Sequence, residues 1–242
     1  MKIIKYAEYK NDNARKYRIL LYGQPGTGKT TLATSMFPKL NTLIIDTEDG
    51  ARYLQEKSTK NLSVVRMTEW ITNIDEKKEF FKELNKYDVI VIDTVGALQE
   101  IIAKSSDILG KKRDGMLSLQ GYGELKEALM RFMNALYTTQ AHIIVVCHQK
   151  QQELTKRNDA VKDMITTPAI IGGALNDILG RMDIVGRVTI KTIKGLKKKD
   201  EVKRFVSLDV SNSSYITKDR PGLFVNESPD IEVQNFIKII NK

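Results

Sequence analysis

Gly23-Gln24-Pro25-Gly26-Thr27-Gly28-Lys29-Thr30 constrains this chain more than any other stretch. It matches the P-loop pattern at every fixed position, follows the apolar run Tyr17 to Tyr22 and precedes a helical segment, Thr31 to Phe37. The glycines let successive backbone N–H groups turn toward one centre, and the helix behind adds its positive end, so a triphosphate is held largely by main chain. Lys29 is placed to reach the β- and γ-phosphates and to act in catalysis. Thr30 offers a hydroxyl to Mg²⁺, an ion that keeps several waters and takes few protein ligands. The nucleotide-binding set read from the sequence is Gly23, Gln24, Pro25, Gly26, Thr27, Gly28, Lys29, Thr30 and Thr31.

The rest of the pattern is α/β. Thr42 to Ile45, Val64 to Met67, Val89 to Ile92 and Ile143 to Cys147 are apolar runs of buried-strand length. Helical spacing separates them over Ile74 to Lys86, Val95 to Leu109 and Leu125 to Tyr137. Strands apolar on both faces, alternating with helices, predict a mainly parallel sheet flanked by helices. After the core, Ile184 to Lys191, Val202 to Leu208 and Tyr215 to Thr217 read as an antiparallel β extension. A last helix is expected over Ile231 to Ile240, with Pro229 in its first turn and Ser228 or Asp230 near the cap. No repeat or Pro/Gly/Ser-rich linker divides the 242 residues, so one domain is expected, with a core over about 17–190 and the extension over about 191–242. The polar stretches Gly110 to Gly121 and Lys150 to Thr167 read as long loops, functional or mobile.

Charge adds a partner class. Thirty-nine Lys and Arg against thirty Asp and Glu give +9, which favours a polyanion through counterion release. Seven bases lie between Lys191 and Arg204, and Lys111, Lys112 and Arg113 form a second cluster; each is either a nucleic-acid contact or a solvated hairpin tip. One cysteine, Cys147, excludes an intramolecular disulfide and implies a reducing compartment. The start has no apolar leader core and no later run approaches a membrane span, so a cytoplasmic protein without membrane partners is expected. His142 and His148 lack a Cys/His cluster around them, so zinc is not expected.

Strand ends carry the remaining chemistry, because ligands of α/β sheets bind there. Val89-Ile90-Val91-Ile92-Asp93-Thr94 delivers a carboxylate beside the P-loop, and Asp93 with Thr30 is the metal pair. Asp46-Thr47-Glu48-Asp49-Gly50 follows the second strand and His148-Gln149 follows the fifth. A carboxylate to orient water, one for metal and an amide sensing the γ-phosphate suffice for hydrolysis. Glu48 is thus a catalytic candidate; its alternative is an acidic group at a helix N-terminus, a role Asp49 could share.

These residues resemble the RecA-like recombinase ATPases over about 17–190. Asp46-Thr47-Glu48 is similar to that family's catalytic glutamate segment, and Asp93-Thr94-Val95-Gly96-Ala97-Leu98 to its metal strand. His148-Gln149 occupies the place of its Asn-Gln pair, and Gly172-Gly173-Ala174-Leu175 is similar, one residue shorter, to the segment closing its second loop. A compact subgroup, the phage-encoded RecA-like ATPases that act as single-strand annealing proteins, shares features similar to Thr47-Glu48-Asp49-Gly50, Gly121-Tyr122-Gly123 and Lys218-Asp219-Arg220-Pro221-Gly222-Leu223.

The resemblance implies a RecA-like P-loop NTPase core that hydrolyses ATP with Mg²⁺, stimulated by DNA, with Glu48, Lys29 and Gln149 catalytic. It implies single-stranded DNA as partner, annealing and homologous recombination as function, and a homo-oligomer with ATP at protomer interfaces. A single-strand binding protein is a candidate partner, and the location would be the host cytoplasm. By the same resemblance Gly110 to Gly121 and Lys150 to Thr167 are the two DNA-binding loops, with Lys111, Lys112, Arg113, Lys150, Lys156, Arg157 and Lys162 as phosphate contacts. Tyr53 either stacks on adenine or packs in the core. Arg181, Arg187 and the Lys191 to Lys199 group are candidate trans-acting fingers. Two other functions stay open: a small-molecule kinase, which would need an Arg-rich lid where only Arg157 stands, and a non-catalytic, nucleotide-switched DNA-binding scaffold. An AAA+ remodelling motor is disfavoured, because no helical lid is visible after the core.

Overall fold

The computed structural model describes residues 16–55, 60–105, 108, 116–154, 163–194 and 200–242. Its centre is β1 (Arg18–Gly23), whose Ile19, Leu20, Leu21 and Tyr22 are wholly buried because the strand has neighbours on both edges and helices on both faces. β5 (His142–Leu154) lies parallel on one side and β7 (Ile184–Ile193) on the other. Beyond β5 come β4 (Val89–Asp93), β2 (Thr42–Asp46) and the edge strand β3 (Leu62–Arg66), all parallel.

On the far side, β8 (Glu201–Ser207) runs antiparallel to β7 and β10 (Asp230–Glu232) antiparallel to β8. The path is β10-β8-β7-β1-β5-β4-β2-β3, with β6 (Asp163–Pro168) on β5 and β9 (Lys218–Asp219) on β7. The predicted α/β class, a mainly parallel sheet flanked by helices with an antiparallel C-terminal extension, is the one observed.

Two layers of helix cover this sheet. α2 (Ile74–Leu84), α3 (Val95–Lys104), α4 (Leu119–Tyr137) and α5 (Gly172–Arg181) bury Leu84, Leu98, Leu129 and Ile178 on one face. α1 (Lys29–Ser35) and α6 (Val233–Ile240) bury Leu32, Phe236 and Ile240 on the other, where the Phe224 and Phe236 rings stack at 5.0 Å. Caps set the helix starts. Asn73 Oδ1 accepts from the backbone N–H of Asp75 at 2.8 Å, Thr94 Oγ1 from Ala97 at 3.2 Å and Ser118 Oγ from Gly121 at 3.1 Å.

Several expectations are corrected. Within Lys150 to Thr167 the described residues are strand, not loop: β5 continues to Leu154 and β6 pairs with it antiparallel, with Lys150 opposite Thr167, while 155–162 lie outside the described residues. The alternation there is polar because the ribbon runs past the body of the sheet, which hides it from a search for apolar runs. Of the expected first loop, 116–118 precede α4, which starts at Leu119 rather than Leu125 because Ser118 caps it.

α3 ends at Lys104, short of Leu109. Tyr215 makes only an isolated bridge to Thr166, and the strand falls instead on Lys218–Asp219. Pro229 stands ahead of β10 rather than in a helix: Asp230–Glu232 is claimed by pairing with β8, and α6 begins at Val233 behind an N-cap Glu232 whose side chain caps nothing.

Candidate functional site

Parallel pairing brings the informative strand ends to one edge. Gly23 of β1 is level with His148 of β5, and Asp46 of β2 with Asp93 of β4. Gly23 must be glycine because a Cβ there would stand 2.3 Å from the Val188 carbonyl oxygen. Gly26 and Gly28 have φ of 76° and 86°, which turns the loop around its centre and which other L-residues rarely adopt. The loop closes on itself: Thr27 Oγ1 donates to the Gln24 carbonyl at 2.9 Å and Lys29 Nζ to the same oxygen at 2.7 Å. Lys29 is nearly buried, and desolvation lowers its pKa from the ordinary value against the opposing pull of Asp93.

Pro25, Gly26, Gly28, Lys29, Thr30 and Thr31 line a cavity of about 370 Å³. Across it stand Glu48, Asp93, Thr94 and His148, with Tyr53 and Arg204 at its rim. Asp93 is buried, and burial pushes its pKa up to about 6, with a hydrogen bond from Thr30 opposing. A buried carboxylate joined to a P-loop hydroxyl fits a divalent cation that completes its shell with water and phosphate oxygens. The glycine-shaped cradle and the Lys29 ammonium, spent only on a loop carbonyl, fit a nucleoside triphosphate. Among the described residues no group of three or more His, Cys, Asp or Glu could hold a metal by itself.

Glu48 is held from several sides. The buried Asp46 carboxylate accepts the backbone N–H groups of Glu48 at 3.2 Å, Gly50 at 3.1 Å and Ala51 at 2.9 Å, clamping the turn that carries it. That turn includes Asp49 at φ 61° and is tied to the end of β4. Thr47 N–H donates to the Asp93 carbonyl at 2.9 Å, Thr94 N–H to Thr47 Oγ1 at 2.8 Å, and Thr47 Oγ1 to the Thr94 carbonyl at 3.0 Å. The peptide bond between Asp93 and Thr94 is cis. Thr94 Oγ1 donates to Glu48 Oε1 at 3.1 Å, and His148 Nε2 lies 3.4 Å from Glu48 Oε2. Both carboxylate oxygens thereby have a partner.

The sequence-predicted residues divide. Lys29, Thr30, Glu48 and Asp93 converge on one cavity. Gln149 does not line it: one residue further along β5, its Oε1 accepts Arg187 Nε at 3.3 Å. His148 lines the cavity instead. Lys150 spends its ammonium on the Ile170 carbonyl at 2.8 Å. Lys111, Lys112, Arg113, Lys156, Arg157 and Lys162 lie outside the described residues. Tyr53 is exposed, with Arg52 over its ring, so the core-packing alternative for it falls away. Arg181 bonds Asn134, and Arg187 lies over Tyr215 at 5.4 Å.

In the sequence Arg204 stood only as one base of the Lys191 to Arg204 cluster, since its partner Gly28 is far away in the chain, and Asp46 went unassigned although it is a carboxylate two residues ahead of Glu48 and four ahead of Gly50.

The family model described as an AAA domain matches residues 15–221. The chain belongs to that family. This AAA domain therefore carries a P-loop NTPase core, and the antiparallel strands of its C-terminal extension lie partly within the matched span. Beyond that core the described residues form strands and one short helix, not a helical lid. No curated protein matches the chain. Among solved structures, the AAA domain is similar to the flagellar accessory protein FlaH from Methanocaldococcus jannaschii, with 14% identity, a TM-score of 0.42 and coverage of 85% of this chain and 84% of that one. No helix among the described residues is long and apolar enough to cross a membrane.

Proposed function

We propose that this AAA domain is a Mg²⁺-dependent ATPase whose nucleotide state governs binding to single-stranded DNA, and that it promotes annealing during homologous recombination. The observation carrying the enzymatic half is the placement of Glu48, fixed by Thr94 and His148, across the cavity from Lys29, Thr30 and Asp93. Lys29 would leave the Gln24 carbonyl for the β- and γ-phosphates, and the P-loop N–H groups would hold their oxygens. Thr30 and Asp93 would hold the metal, which when bound neutralises charge developing on the phosphates. Glu48 would orient the attacking water and accept its proton.

The DNA half draws support from the net charge of +9 and from the β5–β6 hairpin, which starts at the His148 wall of the cavity. That continuity offers a mechanical path from the γ-phosphate to the ribbon. A homo-oligomer with ATP at protomer interfaces and delivery by a single-strand binding protein belong to the same proposal. The test is phosphate release with and without oligo-dT at low and moderate salt, with Lys29→Ala as blank. Salt-sensitive stimulation supports the reading. Turnover indifferent to DNA removes the DNA half, and nucleotide binding without phosphate release removes the ATPase in favour of a nucleotide-switched scaffold.

A further inference from the structure

Arg204 is a base that the P-loop motif does not require. It lies on β8, in the C-terminal extension, yet its side chain crosses to the P-loop: a Cβ on Gly28 would stand 2.9 Å from Arg204 Nε and 3.0 Å from its Cδ. Gly28 is held as glycine by its φ of 86°, and the absence of a Cβ leaves room for the Arg204 side chain to lie against it. The neighbouring acids are occupied. Lys203 Nζ lies 3.3 Å from Glu232 and 3.8 Å from Glu201, while the Arg204 side chain makes no hydrogen bond or ion pair among the described residues. An unpaired guanidinium at the rim of a phosphate cavity is a planar, five-donor anion receptor.

Arg204 also stands where two cavities meet. The second, of about 490 Å³, shares Gly28, Thr31, Tyr53 and Arg204 with the first. Val202, Val233 and Ile237 supply apolar surface there, Gln55 and Gln234 supply amides, and Lys203 with Glu201 and Glu232 supplies a charged wall. That mixture suits a nucleoside, with a flat apolar body and hydrogen-bonding edges. The first cavity takes the phosphates, and the second opens directly beside it, within reach of the remainder of the same ligand.

We propose that the C-terminal extension completes the nucleotide site in cis: Arg204 clamps the phosphate chain over Gly28, and the groove between Tyr53 and the β8–α6 wall holds the nucleoside. This rests on the P-loop reading above and adds that the second cation comes from the same chain rather than from a neighbouring protomer.

Titration with a fluorescent ATP analogue tests the clamp. Arg204→Ala is expected to weaken binding about tenfold or more and Arg204→Lys less so, with nucleotide-free melting unchanged because the side chain is exposed and unpaired. Wild-type affinity in Arg204→Ala overturns the clamp while leaving the P-loop reading intact; absence of binding by the wild type overturns both. Co-expression of Lys29→Ala with Arg204→Ala tests the cis assignment. At ATP well below the Kd of Arg204→Ala, a trans cation would restore complete sites in mixed oligomers, so phosphate release above the sum of the two single variants overturns the proposal; a cis cation leaves every site incomplete and release stays at that sum.

Discussion

His148 Nε2 lies 3.4 Å from the Glu48 carboxylate, and the other ring nitrogen, Nδ1, is buried without a hydrogen-bond partner among the described residues. The imidazole is therefore committed to Glu48 on one side and unanchored on the other, which suits a residue whose task is to position Glu48. His148→Ala is expected to lower kcat about tenfold while leaving KM for ATP nearly unchanged, and His148→Gln, which restores an N–H donor, to recover part of the loss. Steady-state kinetics of the two variants checks this. Equal kcat in both would assign the effect to packing instead.

Asp46 accepts three backbone N–H groups in the turn that bears Glu48, so one buried carboxylate sets both local stability and site geometry. Replacing it by Ala strands those donors and is expected to cost about 2–4 kcal/mol, with a loss of turnover even in the folded fraction. Denaturant unfolding beside single-turnover kinetics separates the two effects.

His142 predicts an acid-sensitive fold. Burial, with a smaller contribution from Lys16, lowers its pKa to about 4; its Nδ1 accepts the Tyr17 N–H at 3.1 Å, and its ring stacks on Phe37 at 4.0 Å. Between pH 6.5 and 4 the unfolded chain binds a proton that the native chain does not. Stability from this group is thus complete above pH 6.5 and falls as pH falls, by about 1.4 kcal/mol per unit and up to about 3 kcal/mol. Thermal melts across that range should show the decline in the wild type and a flatter profile in His142→Gln.

Asp93 predicts a trade of stability for metal binding. A carboxylate whose pKa is pushed up to about 6 by burial costs the nucleotide-free fold free energy at neutral pH. Asp93→Asn is expected to melt no lower than the wild type without nucleotide, yet to lose the increase in Tm that Mg²⁺ with ATP gives the wild type. Thermal shift measurements with and without Mg²⁺ check both halves.

The sequence was legible wherever local chemistry was decisive. Gly26, Gly28, Lys29 and Thr30 act through backbone conformation and near-neighbour spacing, so the motif alone located them. Asp93 was legible because Val89 to Ile92, buried on both faces, can only be an interior strand with its carboxylate at the ligand edge. Gln149 and His148 were harder: the pair was located, but which side chain faces the cavity depends on strand alternation through β5.

The β5–β6 hairpin carried no apolar signal because its residues pair past the sheet. α5 begins with two glycines and was read only through its likeness to a loop-closing segment, although Ala174, Leu175 and Ile178 form its buried stripe. Arg204 was invisible for a different reason. Its contact with Gly28 exists only once β7, β8 and β1 are aligned, and no local pattern encodes that alignment.

The most direct test of the central claim is phosphate release from ATP by the wild type and Glu48→Gln, each with Mg²⁺, alongside nucleotide affinity. Glu48→Gln is expected to keep its affinity while turnover falls about a hundredfold or more, the result of removing a general base from an intact binding site. Turnover equal to the wild type in that variant would contradict the claim.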